Sequence, residues 1–266
     1  MGHPQYTGNQ GLIMNHGGQV DLWWTPLDAD FTQAQLDACA AMLDPFERAQ
    51  WQRIQRPERQ RQHLLSKALL RTVLGKLLGV APHTLRFGAA PRGKPHLERA
   101  QSALPNSTPT PHFNLSHTSG LALLATSFTH EVGVDTEHTG RAPRLAIADR
   151  YFSDSEARAL RAVHEPHEQA QHFWRLWTLK EAYAKAMGAG LSHELLEQAC
   201  FNADITFPHT ATPLAAGPAT WYTLWAPTPE HIAALHVLNA PAAGPAVRQH
   251  QVMPLHAPAA RQWQAL

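Results

Sequence analysis

Residues 113–137 read Phe113-Asn-Leu-Ser-His-Thr-Ser-Gly-Leu-Ala-Leu-Leu-Ala-Thr-Ser-Phe-Thr-His-Glu-Val-Gly-Val-Asp-Thr-Glu137. Phe113–Leu115 and Leu121–Ser127 read as two strands around a polar corner, His117–Gly120. Val132–Glu137 reads as a third strand. The stretch straddles the middle of a 266-residue chain, and what lies on either side of it follows one theme.

Upstream, Gln19–Trp24 reads as a strand with Val20, Leu22 and Trp24 on one face. Thr32 and Gln35 form a capping-box signature before Leu36, Cys39, Ala40 and Leu43. A long helix is predicted over 57–78, opened by Pro57, with Leu65, Leu69, Val73 and Leu77 recurring every four residues. The Pro-broken segment 103–112 reads as a loop. Downstream, Ser153 and Glu156 form another capping box, ahead of Ala157, Leu160 and Val163. Residues 170–187 are strongly helical and stop at Gly188 and Gly190. Strands follow at Thr220–Trp225 and Ala233–Leu238. Strand, helices, strands therefore occurs twice, with a midpoint near residue 130. The expected architecture is α+β, in two halves of similar size, with room for a site at the seam. The expected divisions are a flexible N-terminal tail (1–18), an N-terminal half (19–130), a C-terminal half (131–240) and an Ala/Pro-rich C-terminal extension (241–266). Segments 208–220 and 240–260 suit loops or extended chain better than helix.

Hydrophobic residues make up 44% of the chain and charged residues 16%, with a formal net charge of +1. The core is sizeable, and no strong field draws the chain to nucleic acid or acidic membranes. The 18 histidines raise its charge below about pH 6.5. Cys39 and Cys200 form no C-x-x-C pair, which argues against a disulfide framework and for a reducing compartment. The opening residues lack the pattern of a signal peptide, and no apolar run approaches the roughly 20 residues of a membrane span. A soluble, cytoplasmic monomer is the expectation.

Gly133-Val-Asp-Thr-Glu137 is the sharpest local signal. Side chains two apart on a strand share a face, so Asp135 and Glu137 face the same way. Two carboxylates there repel unless neutralised, and Mg²⁺ does this well, through hard oxygen ligands, water and substrate phosphates. A solvated strand end also carries such a pair, so the signal gains weight only in company.

That company starts in 173–185, where Phe173, Trp177, Glu181 and Lys185 recur every four residues and share one helix face. Glu181 and Lys185 extend an aromatic core stripe, with Lys180 beside them, whereas a surface ion pair would lie opposite that stripe. The placement suits groups pointing into a cleft. Gly88–Pro95 is nearly a phosphate-binding loop, but Pro95 stands where a hydroxyl and a backbone N–H are required, which excludes the nucleotide-triphosphatase reading. A rigid Gly93-Lys94-Pro95 turn can still present backbone groups to a nucleobase. Ser116 and a protonated His117 in the corner can bind phosphate. The absence of G-x-S-x-G argues against a serine hydrolase. Arg48, Arg53, Arg56, Arg59, Arg61, Lys67 and Arg71 form a basic cluster, read mostly as the solvated face of the long helix. The other histidines have no zinc spacing.

Arg92-Gly-Lys-Pro95, Phe113-Asn-Leu-Ser-His117, Gly133-Val-Asp-Thr-Glu137 and Trp177-Thr-Leu-Lys-Glu-Ala182 with Lys185, in this order, resemble the surfactin-type (Sfp-like) 4′-phosphopantetheinyl transferases over roughly residues 20–240. The resemblance implies two pseudo-twofold-related α+β halves with coenzyme A at their seam. It implies Mg²⁺-dependent transfer of the phosphopantetheine arm to a serine of an apo acyl or peptidyl carrier protein, releasing adenosine 3′,5′-bisphosphate. Carried over residue by residue, it makes Asp135, Glu137 and Glu181 the metal ligands and Glu181 the base for the carrier serine. It gives Lys185 the pyrophosphate and Lys180 a supporting charge. Ser116 and His117 take the phosphate corner, with His117 near the 3′-phosphate. Gly93, Lys94 and Pro95 form the adenine turn, and Arg56 and Arg61 stand as counterparts of the family's N-terminal basic residues. Two positions depart from the family pattern: Thr136 stands between the acids, and His63 stands where a phosphate-contacting threonine is usual. Thr136 either orders a metal-bound water or faces the core. A non-catalytic coenzyme A or carrier-binding module and a phosphoesterase releasing the free arm are the competing readings. Fatty-acid, polyketide and nonribosomal-peptide carriers all present a similar serine.

Overall fold

The computed structural model describes residues 18–254 apart from 103, 106, 202–208, 211–219 and 242. The expected N-terminal tail, most of the 208–220 loop and the end of the C-terminal extension lie outside the described residues. Among the described residues no helix is long and apolar enough to cross a membrane.

The first half runs β1 (Gln19–Pro26), α1 (Gln33–Met42), α2 (Pro45–Gln52), α3 (Pro57–Leu78), a short hairpin of β2 (Phe87–Ala89) and β3 (Pro95–Leu97), then β4 (His112–Thr118) and β5 (Leu121–Ser127). The second runs β6 (Val132–His138), α4 (Ala146–Tyr151), α5 (Asp154–Ala162), α6 (Pro166–Met187), α7 (His193–Gln198), β7 (His209–Thr210), β8 (Thr220–Thr228) and β9 (His231–Leu238), with β10 (Ala246–Gln251) after it. The two main sheets are ordered β10-β1-β5-β4 and β6-β9-β8-β7. In each, the first strand of the half pairs antiparallel with the last, and the last pairs with the one before. In each, a 22-residue helix with proline at its first turn ends on a left-handed glycine, Gly79 or Gly188. The halves are thus related by a pseudo-twofold.

Three apolar clusters follow from this layering. Leu65, Leu69 and Val73 of α3 pack on Trp23 and Leu124 of the first sheet. Phe173, Trp177 and Tyr183 of α6 pack on Tyr222 and Ile232 of the second. Between the sheets, Val20, Leu22 and Leu123 meet Val132, Val134 and Leu235, so the seam is itself a core. Burial of that apolar area supplies the main cohesion between the halves.

Both predicted capping boxes form, with Thr32 and Ser153 each accepting from the backbone N–H three residues on. Other expectations shift. The polar corner is shorter than read: β4 continues through Ser116 and His117, paired with Leu123 and Ala122, and only Ser119 and Gly120 make the turn. Gly120 at φ +83° supplies the positive φ that a tight hairpin needs. Helix α6 starts at Pro166, earlier than 170, because Pro166 fits its first turn and Glu165 caps it. Arg71 belongs to the core, fully buried against Glu47, and not to the solvated face of α3. Residues 246–251, which carry no helix signal, form an edge strand parallel to β1 in the first half's sheet.

Candidate active site

The site is built where β6 lies against α6. Gly133 is the point of closest approach: a Cβ there would come within 2.2 Å of Ala182 O and Ala186 N. Only glycine allows the helix backbone to sit so near the strand. Two residues on, on the same face, Asp135 therefore meets the next turn of the helix. Its carboxylate is buried, and Oδ1 accepts from Lys185 Nζ at 2.5 Å and from Ser116 Oγ at 2.8 Å. Lys185 Nζ also donates to Ser116 Oγ at 3.0 Å and lies 3.7 Å from Glu181 Oε2. Glu137, two further along, accepts from Trp177 Nε1 at 3.3 Å and from Arg141 Nη2 at 2.7 Å. Helical spacing of four thus puts Trp177, Glu181 and Lys185 along one strand face carrying Asp135 and Glu137.

Charge in this nest is unbalanced towards the negative. Burial and the neighbouring Asp135 push the Glu137 carboxyl up to about 7. The same two causes, in the same order, raise that of Glu181 to about 8. Burial alone would lower Lys185, but the carboxylates of Asp135 and Glu181 outweigh it and its pKa is raised. Asp135 Oδ2 is buried with no hydrogen-bond partner. An orphaned carboxylate oxygen beside two mutually repelling carboxylates is a hard-oxygen donor set that a small divalent cation would satisfy. Among the described residues no three acid, histidine or cysteine side chains already stand in a metal-ligand arrangement. The donors fit the ion by chemistry, with Lys185 as the present counter-charge. Thr136 does not join them: its buried hydroxyl donates to Ile232 O at 3.1 Å, across the β6–β9 pair.

Next to this nest a cleft of about 280 Å³ opens at the seam, lined by Gly93, Lys94, Pro95 and Asn114 from the first half and by Glu181 and Lys185 from the second. Gly93 holds φ +90° in the Ala90–Lys94 turn. His117 follows Ser116 on β4, and its imidazole is lowered, by desolvation first and then by the charges of His63, Lys185 and Lys67. His63 is lowered as well, by burial and by Lys67, and its Nε2 is buried without a partner. Lys185 and Lys67, the latter paired with Glu47 at 3.3 Å, are the charged groups nearest His117, which is neutral in the free protein where the sequence suggested a protonated ring.

Three residues stand elsewhere. Lys180 is turned into the core of the second half, donating to Leu196 O at 2.6 Å and Ala199 O at 3.1 Å and paired with Glu156 at 2.8 Å. One residue along a helix is a turn of about 100°, enough to take it off the Glu181 face. Arg61 donates to Leu27 O and Ala29 O, tying down the loop after β1. Arg56 is exposed at the start of α3.

Sequence reasoning missed Asn114 and Glu131. Asn114 Oδ1 accepts from Val134 N at 2.9 Å, joining β4 to β6 across the seam. It shares the β4 face of Ser116, two residues on, so alternation marks it. Glu131 lies on the Gly133, Asp135 and Glu137 alternation and bonds Lys94 and His112.

A family model described as 4′-phosphopantetheinyl transferase superfamily matches residues 131–243, and one described as 4′-phosphopantetheinyl transferase, N-terminal, matches 23–129. The chain is 39% identical over 178 residues to 4′-phosphopantetheinyl transferase HetI of Nostoc sp., covering 65% of this chain and 70% of the relative. It is 30% identical over 166 residues to 4′-phosphopantetheinyl transferase Sfp of Bacillus subtilis, covering 62% and 69%. It is 30% identical over 138 residues to human L-aminoadipate-semialdehyde dehydrogenase-phosphopantetheinyl transferase, covering 50% and 44%.

Proposed function

The chain belongs to the 4′-phosphopantetheinyl transferase superfamily and is a 4′-phosphopantetheinyl transferase, and we propose from this that it moves the arm from coenzyme A to a serine of an apo acyl or peptidyl carrier protein, with Mg²⁺, releasing adenosine 3′,5′-bisphosphate. The observation that carries the reading is the meeting of Asp135, Glu181 and Lys185 beside the seam cleft.

In this reading Asp135, Glu137 and Glu181 would hold Mg²⁺, which would supply neutralisation of the pyrophosphate charge. Lys185, charged throughout the neutral range, binds the pyrophosphate next to it. Glu181, in its ionised form, accepts the proton of the carrier serine, and its raised pKa makes it the stronger base. The serine oxygen then bonds to the phosphorus of the arm as the bridging P–O bond breaks, and the electron pair leaves on the nucleotide phosphate. Since the nucleophile belongs to the partner, this chain contributes positioning and electrostatics. Ser116 and His117, with His63 and Lys67 behind them, take the 3′-phosphate. Gly93, Lys94 and Pro95 wall the adenine. Lys180, Arg56 and Arg61 lie outside this arrangement. The enzyme acts as a cytoplasmic monomer, without nucleic acid or membrane.

Incubation with coenzyme A, Mg²⁺ and a panel of apo carriers, read by mass spectrometry, tests the proposal. The arm should be found on the serine of at least one carrier. Failure on every carrier sinks the reading, and carrier-independent release of the free arm marks a phosphoesterase.

A further inference from the structure

The Ala90–Lys94 turn reaches across the seam, and one acidic residue outside all the motifs holds it there. Glu131 immediately precedes β6, four residues before Asp135. Its Oε2 accepts from Lys94 Nζ at 2.6 Å, and its Oε1 receives His112 Nδ1 at 2.9 Å. Lys94 Nζ further donates to Ala186 O at 3.1 Å and Val132 O at 3.4 Å. An ammonium has three donors, and all three are thereby directed into the second half and away from the cleft. The stem of Lys94 lies over Gly188, where its Cδ is 3.2 Å from the place a Cβ would occupy. Arg92 adds a second tie, from Nη1 to Ala189 O at 3.3 Å. His112 opens β4, the strand that carries Ser116.

We propose that Glu131 is a positioning residue for coenzyme A: through Lys94, and with His112 as its second anchor, it latches the Ala90–Lys94 turn to β6 and the C-terminal end of α6. The latch presets one wall of the cleft at a fixed distance from Glu181 and Lys185. In this arrangement Lys94 serves by its backbone and stem, its charge being spent on the latch. The His112 hydrogen bond first, and then Lys94, hold the Glu131 carboxyl down to about 2, so the latch stays ionised at working pH. Lys94 is mostly covered but Glu131 is half exposed, at 46% of its side-chain area, so the effect expected is modest and sensitive to salt.

The inference rests on coenzyme A being the donor, and the test separates the two. Steady-state kinetics with wild-type enzyme, Mg²⁺ and an apo carrier establish turnover; its absence refutes the donor reading and the latch with it. Given turnover, Glu131→Gln should raise KM for coenzyme A about three- to tenfold with kcat within about twofold, and the gap should narrow at 1 M salt. Lys94→Met should raise KM alike, and the double variant should be no worse than Lys94→Met alone, as expected of residues acting through one contact. Amide exchange across residues 89–95 should quicken in Glu131→Gln. Unchanged KM, additive effects in the double variant, or kcat falling together with thermal stability would each overturn the latch.

Discussion

Arg71 and Lys180 occupy one position in the two halves: each is the fifteenth residue of a 22-residue helix that opens on a proline, counting from Pro57 and Pro166. Each is fully buried. Each pairs with a glutamate at the third position of the preceding core helix, Arg71 with Glu47 at 2.6 Å and Lys180 with Glu156 at 2.8 Å. Those helices are capped by Asp44 and Ser153. Both cations also donate to two backbone carbonyls further along the chain, Pro82 and Leu85 in one half, Leu196 and Ala199 in the other. The pseudo-twofold therefore extends to a buried ion pair that pins the long helix to the segment following it.

This equivalence makes Lys180 a structural residue. Lys180→Met leaves Glu156 buried and unpaired and should cost about 3–5 kcal/mol. Lys180→Met with Glu156→Gln should recover much of that, since Glu156 Oε1 still accepts from Phe201 N. Urea denaturation measures both. Transfer activity per folded molecule should stay within about threefold of wild type, and a well-folded but inactive Lys180→Met would return this lysine to the chemistry.

Gly133→Ala forces α6 off β6, because the added carbon meets backbone atoms that cannot rotate away. We expect about 1–3 kcal/mol of lost stability. A kcat fall of about 100-fold should accompany it, since Asp135 and Lys185 lose their spacing. A folded variant with full activity would show that the close approach does not set the site.

Asp135→Asn should lower kcat by about 10²–10³ with the fold intact. Mg²⁺ gives an independent readout. At 100 times its dissociation constant it should stabilise the wild type by about 2.7 kcal/mol, visible as a rise of several degrees in Tm, and the rise should vanish in the variant. An equal Tm rise in both proteins would remove Asp135 from the metal site.

His236 links stability to pH. It is fully buried, stacked on Tyr222 at 5.2 Å, and burial lowers its imidazole to about 3. Between about pH 6.5 and 3 the unfolded chain binds a proton there that the folded chain refuses. Its contribution is therefore intact above 6.5 and lost as pH falls through that window, by about 1.4 kcal/mol per unit. Replacing it with Phe should flatten the stability–pH curve by that slope between pH 4 and 6. Parallel curves for the two proteins would contradict the neutral buried state.

Local signals carried far in this chain. The alternation of Asp135 with Glu137, the spacing of four from Phe173 to Lys185, the two capping boxes and the Gly188 stop all describe contacts within one element or one face, and they reappear in the fold. What escaped depends on partners distant in sequence. Ser116 and His117 look like turn residues until their pairing with Leu123 and Ala122 extends the strand through them. Thr136 could only be placed once Ile232 lay opposite. Lys180 was partly legible: Phe173 and Leu176, seven and four residues before it, put it on the inward stripe. Its charge masked that position, and its acid, Glu156, lies on another helix. The residues of β10 have no apolar run to announce a strand, because an edge strand is half exposed.

That edge strand fixes an order of events. Thr25 and Val252 are joined by a hydrogen bond spanning 227 residues, and His250 stacks on Trp23 at 4.2 Å. A contact of such range closes a very long loop and is expected to form late. On the ribosome, the outer rim of β1 stays bare until residue 251 has emerged, long after the rest of the first half can collapse. A nascent chain therefore carries an unpaired strand edge until β10 is made and seals it.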